Sequence, residues 1–302
     1  MKICVVGGAG FIGHHIVKKF LSLNHEVLVI DDLSTGKLEN LPSNCEFIKA
    51  DVSDINLELL TSYLEGVDLV YHTAAKARVQ PSIIDPITFN KANVDSTLRI
   101  LMASYKAKVK RVIYSASSSA YGDTKIFPTP ETEETNPMSP YGLQKFIGEQ
   151  YCKLFSDLYN LDTVSLRYFN VYGEGMLDEG AYCTVIGIFG KQYRNNEKLT
   201  ITNDGEQRRD FTYVNDVVEA NYLAGIHESP LKGDVFNVGN GNNYSVNEIA
   251  DLFETEKVYG EKRIEPFETL ADNNKIKEIF NWEPKGDVIS WVKEYKKNLD
   301  EK

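Results

Sequence analysis

A glycine-rich turn near the N-terminus constrains the fold of this chain more than any other feature. Residues 7–13 read Gly-Gly-Ala-Gly-Phe-Ile-Gly, directly after an apolar run and directly before a stretch with helical spacing. Glycines there permit unusual backbone angles, close approach to a pyrophosphate and tight packing of a helix on a strand. The N-terminus of that helix adds free N–H groups. The pattern predicts a dinucleotide-binding turn formed by Gly7, Gly10, Phe11, Ile12 and Gly13. A tight turn without a ligand is the alternative.

Two hydrophobic periods alternate over the first 170 residues. Short apolar runs predict strands at 3–6, 26–30, 46–49, 69–71, 111–114 and 163–166, and helical spacing predicts helices at 11–23, 87–105 and 140–158. This alternation predicts an α/β fold with a doubly wound parallel sheet. The rhythm breaks after residue 172, where shorter runs predict a smaller α+β domain. We therefore divide the chain into a nucleotide-binding domain, 1–172, and a substrate domain, 173–302, with some later segments returning to the first.

The charge balance and the cysteines exclude several classes of protein. There are 33 Lys and Arg against 44 Asp and Glu, which gives a net charge of −11. Such an acidic chain is a poor match for a phosphate backbone, so no nucleic-acid partner is expected. No apolar run reaches the roughly 20 residues that span a membrane. The start of the chain resembles the head of a signal peptide, but the glycines between 7 and 13 interrupt its apolar stretch, so we expect a cytoplasmic protein. The four cysteines lack metal-ligand spacing, so we expect reduced thiols and no metal site.

Acidic residues end the second and third predicted strands. Asp31 and Asp32 stand where a carboxylate accepts the ribose hydroxyls of an adenosine. Two like charges about 4 Å apart repel by roughly 4 kcal/mol at an effective dielectric constant of about 20, so a 2′-phosphate is disfavoured and NAD is favoured over NADP. Alternatively, these aspartates only cap the following loop. The loop residues Ser34, Thr35 and Gly36, and the next strand end with Asp51 and Val52, are further predicted cofactor contacts.

A tyrosine and a lysine are spaced for proton transfer. Tyr141 and Lys145 lie four residues apart, and Ser139 and Pro140 before them suit the start of a helix, so both side chains share one helical face. Ionising a phenol of pKa about 10 at pH 7 costs roughly 4 kcal/mol, which nearby cations can supply. A tyrosinate can then deprotonate a sugar hydroxyl. Ser117 follows a predicted strand, at the sheet edge where ligands of such folds bind.

Seven segments in order carry a family resemblance. They are the glycines at 7, 10 and 13, His72-Thr73-Ala74-Ala75, Asn93-Val94, Ser117, Tyr141 with Lys145, the run 167–173 and the run 205–211. The chain resembles the extended short-chain dehydrogenase/reductase family and, within it, the NAD-dependent nucleotide-sugar epimerases that act on UDP-glucose and UDP-galactose. The resemblance implies a Rossmann-type domain, tightly bound and recycled NAD, a UDP-sugar substrate and a homodimer. In such dimers two helices of each subunit pack together, here 87–105 and 140–158. Phe146, Tyr151 and Phe155 are candidate contacts between subunits or, equally, core residues within one subunit.

The resemblance also implies roles for single residues. Tyr141 removes the 4-hydroxyl proton, Lys145 lowers the pKa of Tyr141 and holds the nicotinamide ribose, and Ser117 binds the reacting oxygen. Cofactor contacts come from Thr73, Ala74, Ala75, Lys76, Asn93, Ser115 and Phe169, and substrate contacts from Asn170, Arg209 and Glu265. For three of these residues a structural role is the alternative. In that case Phe169 would belong to the core, Asn93 would pack helices, and Arg209 would pair with Asp210 or Asp216. The segment Lys262-Arg263-Ile264-Glu265 departs from the family pattern, which leaves open which basic residue meets the diphosphate.

The residues after Ser117 limit which of the family's reactions is expected. In the family, dehydratases carry an Asp-Glu pair there, whereas this chain has Ser118 and Ser119. Neutral hydroxyls do not replace a carboxylate base at pH 7, so C4 epimerisation of a UDP-hexose is the expected activity. A 4,6-dehydratase, a net oxidoreductase and a non-catalytic NAD-binding regulator are the alternatives. Thr269 stands where some members carry a bulky tyrosine, which extends the expected substrates to UDP-N-acetylglucosamine.

Overall fold

The computed structural model describes residues 1–178 and 183–301 and has thirteen strands and eleven α-helices in that part of the chain. The strands are β1 (Lys2–Val6), β2 (Glu26–Asp31), β3 (Glu46–Lys49), β4 (Leu69–His72), β5 (Arg111–Ser117), β6 (Asp162–Tyr168), β7 (Val171–Tyr172), β8 (Leu199–Ile201), β9 (Arg208–Asp210), β10 (Thr212–Tyr213), β11 (Asp234–Val238), β12 (Asn243–Ser245) and β13 (Lys257–Tyr259). The helices are α1 (Phe11–Ser22), α2 (Leu57–Tyr63), α3 (Val79–Ile84), α4 (Pro86–Asn90), α5 (Ser96–Lys106), α6 (Pro140–Tyr159), α7 (Val185–Arg194), α8 (Val214–Ile226), α9 (Val246–Asp251), α10 (Asn274–Phe280) and α11 (Val288–Asp300).

Seven parallel strands form the central sheet, in the order β11-β6-β5-β4-β1-β2-β3. The chain runs outward from β1 to β3 and then returns to place β4 on the other side of β1. The topological switch point therefore lies between β1 and β4, and this is where sheets of this kind bind ligands, beyond the carboxyl ends of the strands. The predicted doubly wound parallel sheet is confirmed.

Both faces of the sheet are covered, which explains why its strands are almost continuously apolar. In β1, Ile3 and Val5 face a core shared with α1 and α8, whereas Cys4 and Val6 face a second core shared with α2 and α5. No disulfide joins the four cysteines. In the part of the chain that the structure describes, no helix is long and apolar enough to cross a membrane.

The later part of the chain forms a smaller unit, with segments that join the main sheet. A third core, which includes Phe189, Ile201 and Phe253, gathers α7, α9, α11 and the short strands around them. However, β11 pairs with β6 in the main sheet, and α8 packs against α1. The boundary after residue 172 therefore marks a change in sequence pattern, and some segments after it pack with the first part of the chain.

Two of the differences between predicted and observed elements have identifiable reasons. The predicted helix 87–105 is divided into α4, a π-helical turn at Lys91–Asp95, and α5. β5 extends beyond its predicted end through Ser117, because each added residue pairs with a residue of β6 and is buried. Polar residues inside a fully covered strand are invisible to an apolar-run criterion.

Candidate active site

The glycine turn leads from β1 into α1 at the switch point. Gly7 has φ +83, and a Cβ built on it would lie 2.5 Å from the backbone nitrogen of Ala74, after β4. Gly10 is the N-cap of α1 and provides no side-chain hydrogen bond to the helix, so the first N–H groups remain available to a ligand. These features form a cradle that any side chain at Gly7 would fill. The residues therefore fit the pyrophosphate of a dinucleotide.

The acidic end of β2 encloses the turn from one side. The two carboxylate oxygens of Asp31 accept N–H bonds from Ala9 at 3.0 Å and from Leu33 at 2.8 Å, and burial raises the pKa of Asp31. Asp32 is exposed, and its carboxylate accepts the Ser34 N–H at 2.8 Å. Both aspartates thus brace backbone turns, and each oxygen retains a second lone pair for a hydroxyl donor. Gly36 lies against the Ala9 backbone, so the loop with Ser34 and Thr35 closes over the turn.

At the end of β3, the exposed Asp51 accepts hydrogen bonds from the backbone and hydroxyl of Ser53. Val52 is buried in the core shared with α2. This arrangement is an ordinary strand-end turn. It places Asp51 at the same sheet edge as Asp31, as the parallel pairing of β2 and β3 requires.

The loop after β4 is held by two polar side chains. The Thr73 hydroxyl donates to the carbonyl oxygens of Val6 and Gly7, which joins the β4 end to the glycine turn. Asn93 is buried, and its amide bonds both the N–H and the C=O of Lys76 and also Gln144. Both amide N–H groups of Asn93 are used within the chain. These contacts match the alternative in which Asn93 has a packing role. They also hold the loop from Ala74 to Lys76 in place.

The predicted proton-transfer residues come together beyond β5. The Ser139 side chain caps α6 by accepting the Gly142 N–H, and Pro140 occupies the first turn, as expected. Tyr141 hydrogen-bonds with Ser117 through their side chains. Ser117 ends β5 and also bonds the hydroxyl and the N–H of Ser119. Burial raises the pKa of Tyr141, while the Ser117 hydrogen bond lowers it.

Lys145 is buried one helical turn below Tyr141. Its ammonium donates to the Ser115 carbonyl oxygen at 2.8 Å and lies 5.1 Å from the centre of the Tyr114 ring. Burial lowers the pKa of Lys145 to about 8, and the charge of Glu149 opposes this change. The predicted pair shares one face of α6, but the Lys145 ammonium contacts Ser115 and Tyr114 of β5. The Ser115 hydroxyl points elsewhere, to the Tyr168 hydroxyl at 3.0 Å.

A buried ion pair lies behind Lys145. Glu149 accepts two hydrogen bonds from Arg167 of β6, at 2.9 and 2.7 Å, and the guanidinium also stacks 4.5 Å from the centre of the Tyr121 ring. Both charged side chains are almost fully buried. This pair places a fixed negative charge next to the lysine, and the sequence analysis did not find it. Glu149 lies four residues after Lys145 on the same face of α6, which is the available sequence signal.

The predicted substrate ligands Arg209 and Glu265 contact each other. Arg209 donates to the Glu265 carboxylate at 2.7 Å and to two backbone carbonyl oxygens. The expected alternatives were wrong, because Asp210 instead accepts backbone N–H groups such as that of Ala271, and Asp216 accepts the Gly286 N–H. Lys262 and Arg263 are both exposed on the segment before Glu265.

Phe169 and Asn170 follow β6 at the same sheet edge. Phe169 is fully buried in a small cluster with Tyr121 and Ala271, which matches the core alternative. The Asn170 amide donates to the Thr269 hydroxyl and to the Asp210 carbonyl oxygen, each at 3.2 Å. Asn170 and Thr269 are thus neighbours, although 99 residues separate them in sequence.

Arg78 is a site residue that the sequence analysis missed. It lies in the loop between β4 and α3, and its charge lowers the pKa of Tyr141. Its backbone has φ +94, which is uncommon for a residue with a side chain. Neither feature is visible in the sequence, where Arg78 is one basic residue after the motif His72-Thr73-Ala74-Ala75.

The arrangement supports proton transfer next to a dinucleotide. A phenol, a serine and two cations lie at the carboxyl edge of the sheet, near the turn whose N–H groups fit a pyrophosphate. No cluster of His, Cys, Asp and Glu side chains that could hold a metal ion occurs among residues 1–178 and 183–301.

Comparison with known proteins agrees with this geometry. The UDP-glucose 4-epimerase of Mycolicibacterium smegmatis is 34% identical over 298 residues, covering 94% of both chains. The crystal structure of UDP-glucose 4-epimerase with UDP-glucose from Thermotoga maritima has a TM-score of 0.94 and 37% identity, covering 100% of this chain and 99% of that one. A UDP-N-acetylglucosamine 4-epimerase from Methanobrevibacter ruminantium, in complex with UDP-N-acetylmuramic acid, has a TM-score of 0.91 and 35% identity, covering 99% and 98%.

The match to a family model is equally broad. The model of the NAD dependent epimerase/dehydratase family matches residues 3–239, which include the glycine turn, Ser117, Tyr141 and Lys145. The chain therefore belongs to the NAD-dependent epimerase/dehydratase family.

Proposed function

We propose that this protein is an NAD-dependent isomerase that inverts C4 of a UDP-hexose, interconverting UDP-glucose and UDP-galactose through a 4-keto sugar. The observation that carries the proposal is the side-chain hydrogen bond between Tyr141 and Ser117 at the sheet edge next to the uncapped N-terminus of α1. Bound NAD supplies reversible hydride transfer at C4. Relatives of similar length named UDP-glucose 4-epimerase support the choice of reaction.

The chain's own residues divide the remaining work. Ser117 orients the sugar oxygen, and Tyr141 takes the hydroxyl proton when the ketone forms and returns it when the alcohol is restored. The glycine turn and α1 hold the cofactor pyrophosphate. Arg209 binds the substrate diphosphate through its guanidinium group. In this structure the same guanidinium group pairs with the Glu265 carboxylate.

The residues after Ser117 favour epimerisation over loss of water. Ser118 begins a short 3-10 turn, Ser118–Ala120, and Ser119 is hydrogen-bonded to Ser117. Elimination of water needs a base to remove a carbon-bound proton, and serine hydroxyls do not serve as that base near pH 7. A reaction that needs only one proton acceptor at the oxygen and a returned hydride fits these residues.

The test uses the purified protein with UDP-galactose and no added NAD. We expect UDP-glucose to form until the two sugars reach equilibrium, because the cofactor stays bound and is restored in each cycle. A need for stoichiometric NAD, with NADH accumulating, would identify a net oxidoreductase instead. Nucleotide released from the denatured protein should be NAD, and an absence of any turnover despite bound NAD would favour the regulator.

We propose that N-acetylated UDP-hexoses are also substrates. Thr269 is a small residue whose hydroxyl accepts the Asn170 amide and the Asp210 N–H, so it is fixed next to a predicted substrate ligand. Thr269→Tyr is expected to reduce turnover of UDP-N-acetylglucosamine more than that of UDP-glucose. Thr269→Ser is the matched control, since it keeps the hydroxyl and adds no bulk. Equal losses for both sugars would reject this assignment.

We propose a homodimer formed through the outer faces of α3, α4 and α6. Ile84 and Ile87 are 84% and 83% exposed, and Leu143, Leu154 and Leu158 form an exposed apolar row on α6. Of the residues suggested by sequence, Phe155 is instead buried within the chain. Ile87→Glu should shift the sedimentation coefficient to that of a monomer, while Tyr259→Glu, at another exposed apolar position, should not.

A further inference from the structure

The first turn of α6, which carries Tyr141, has one backbone donor that its own helix does not satisfy. The Ser139 hydroxyl oxygen accepts the Gly142 N–H, and the Ser139 carbonyl oxygen accepts the Leu143 N–H. Pro140 has no N–H to donate. The remaining donor of this turn is the N–H of Tyr141 itself. The proposed base therefore lies where a helix is held least by its own hydrogen bonds.

A buried serine of α3 accepts this donor. The Ser82 hydroxyl oxygen lies 3.1 Å from the Tyr141 backbone nitrogen, and Ser82 is fully buried. The Ser82 hydroxyl donates its own proton to the Val79 carbonyl oxygen at 2.6 Å. Because that proton is used within α3, the hydroxyl oxygen acts as an acceptor toward α6. This hydrogen bond joins two helices whose residues are 59 positions apart in sequence.

The helix that carries Ser82 is itself fixed to the cofactor end of the sheet. It follows the loop after β4, in which the Thr73 hydroxyl donates to the Gly7 carbonyl oxygen of the glycine turn at 3.2 Å. Further along this loop, the Asn93 amide bonds both backbone groups of Lys76, three residues before α3 begins. The glycine turn, the loop after β4 and α3 are thus joined in sequence. The hydroxyl of Ser82 extends this connection to α6.

We propose that Ser82 is a positioning residue, whose hydroxyl holds the start of α6 against the cofactor loop and so places the Tyr141 phenol for removal of the sugar hydroxyl proton. This inference rests on the proposed epimerase function and deepens it. Proton transfer needs the base within hydrogen-bond reach of the hydroxyl, and a displacement of about 1 Å can slow such a step about 100-fold. Lys145, one turn further along α6, is held separately by its bond to the Ser115 carbonyl oxygen.

The kinetic test compares wild type with Ser82→Ala, both as holoenzymes with bound NAD and with UDP-galactose as substrate. Loss of the hydroxyl leaves the Tyr141 N–H without its acceptor, so the start of α6 is no longer held in one place. We expect kcat to fall about tenfold while KM changes less than about twofold, because binding of the sugar nucleotide does not use the phenol alone. The NAD released on denaturation should equal that of wild type.

Ser96→Ala is the matched control. Ser96 is 1% exposed, and its hydroxyl also donates to a carbonyl oxygen of the preceding helical turn, that of Ala92. It differs from Ser82 in that this bond stays within one helical segment. We expect the kcat of Ser96→Ala to stay within about twofold of wild type. Equal losses of kcat in the two variants would reveal a general effect of removing a buried hydroxyl and would overturn the proposal.

A second measurement does not depend on turnover. Hydrogen–deuterium exchange of residues 139–142 follows three backbone amides, since Pro140 has none. In Ser82→Ala this segment should exchange about tenfold faster than in wild type, whereas Ser96→Ala should match wild type. An unchanged kcat or an unchanged exchange rate in Ser82→Ala would overturn the inference. If wild type does not convert UDP-galactose, the proposed function fails, and the exchange rate still decides whether Ser82 holds Tyr141.

Discussion

Burial of the charged Lys145 side chain lowers the free energy of unfolding, and this cost can be measured. The side chain is 4% exposed, and its pKa falls from 10.5 to about 8, mainly through burial. Between these values the unfolded chain binds more protons at this position than the folded one. The free energy of unfolding must therefore rise as the pH rises through this window. The difference of 10.5 − 8, at 1.36 kcal/mol per pKa unit, corresponds to about 3 kcal/mol.

The perturbation is Lys145→Met, which keeps most of the side-chain volume and removes the titrating group. Urea unfolding of both proteins is followed at several pH values from 7 to 10, after nucleotide is removed from both. Removal matters because a ligand that binds only the folded state adds stability of its own. The wild-type protein should gain about 2.5 kcal/mol relative to the variant over this range. Titrations shared by both proteins cancel in the difference.

A constant difference between the two proteins across this pH range would refute the reasoning. Lys153→Met provides the control, since Lys153 is an exposed lysine of the same helix that pairs with Asp157. This variant measures the effect of removing an exposed lysine from the same helix. At pH 7, Lys145→Met removes the hydrogen bond to Ser115, which lowers the free energy of unfolding, and also removes the cost of the buried charge, which raises it. The net loss of stability should therefore not exceed the loss expected for one hydrogen bond.

Three further predictions concern the turn, the ion pair and the base. Gly7→Ala should leave the purified protein without bound NAD, measured as nucleotide released on denaturation, because the new Cβ would meet the Ala74 backbone at 2.5 Å. Gly66→Ala, also at positive φ but with no atom within 4 Å of the new Cβ, should retain the nucleotide. Glu149→Gln should lower the free energy of unfolding in urea by about 3–5 kcal/mol, since it leaves buried Arg167 uncompensated. Asp157→Asn, in an exposed pair, should lower it by less than about 1 kcal/mol, and equal losses would contradict the role of burial. Tyr141→Phe should reduce kcat in the coupled epimerisation assay by about 10²- to 10⁴-fold while NAD stays bound, and a variant with unchanged kcat would exclude Tyr141 as the base.

The secondary structure followed closely from local pattern. The strand 46–49 and the helix from Pro140 were predicted at or within a residue of their bounds, because apolar runs and capping residues act over a few positions. The interruption of the helix 87–105 could not be predicted. It accompanies Asn93, whose amide bonds Lys76 and Gln144 from distant segments.

For the candidate site, the sequence by itself determined the phosphate turn and the shared face of Tyr141 and Lys145. Both depend on contacts within a few residues, where backbone geometry leaves little choice. Only the tertiary structure decided which charges meet. Arg209 pairs with Glu265, across 56 residues of chain. A helical period gives the face on which a side chain lies, but its partner depends on how separate elements pack, and local sequence does not encode that choice.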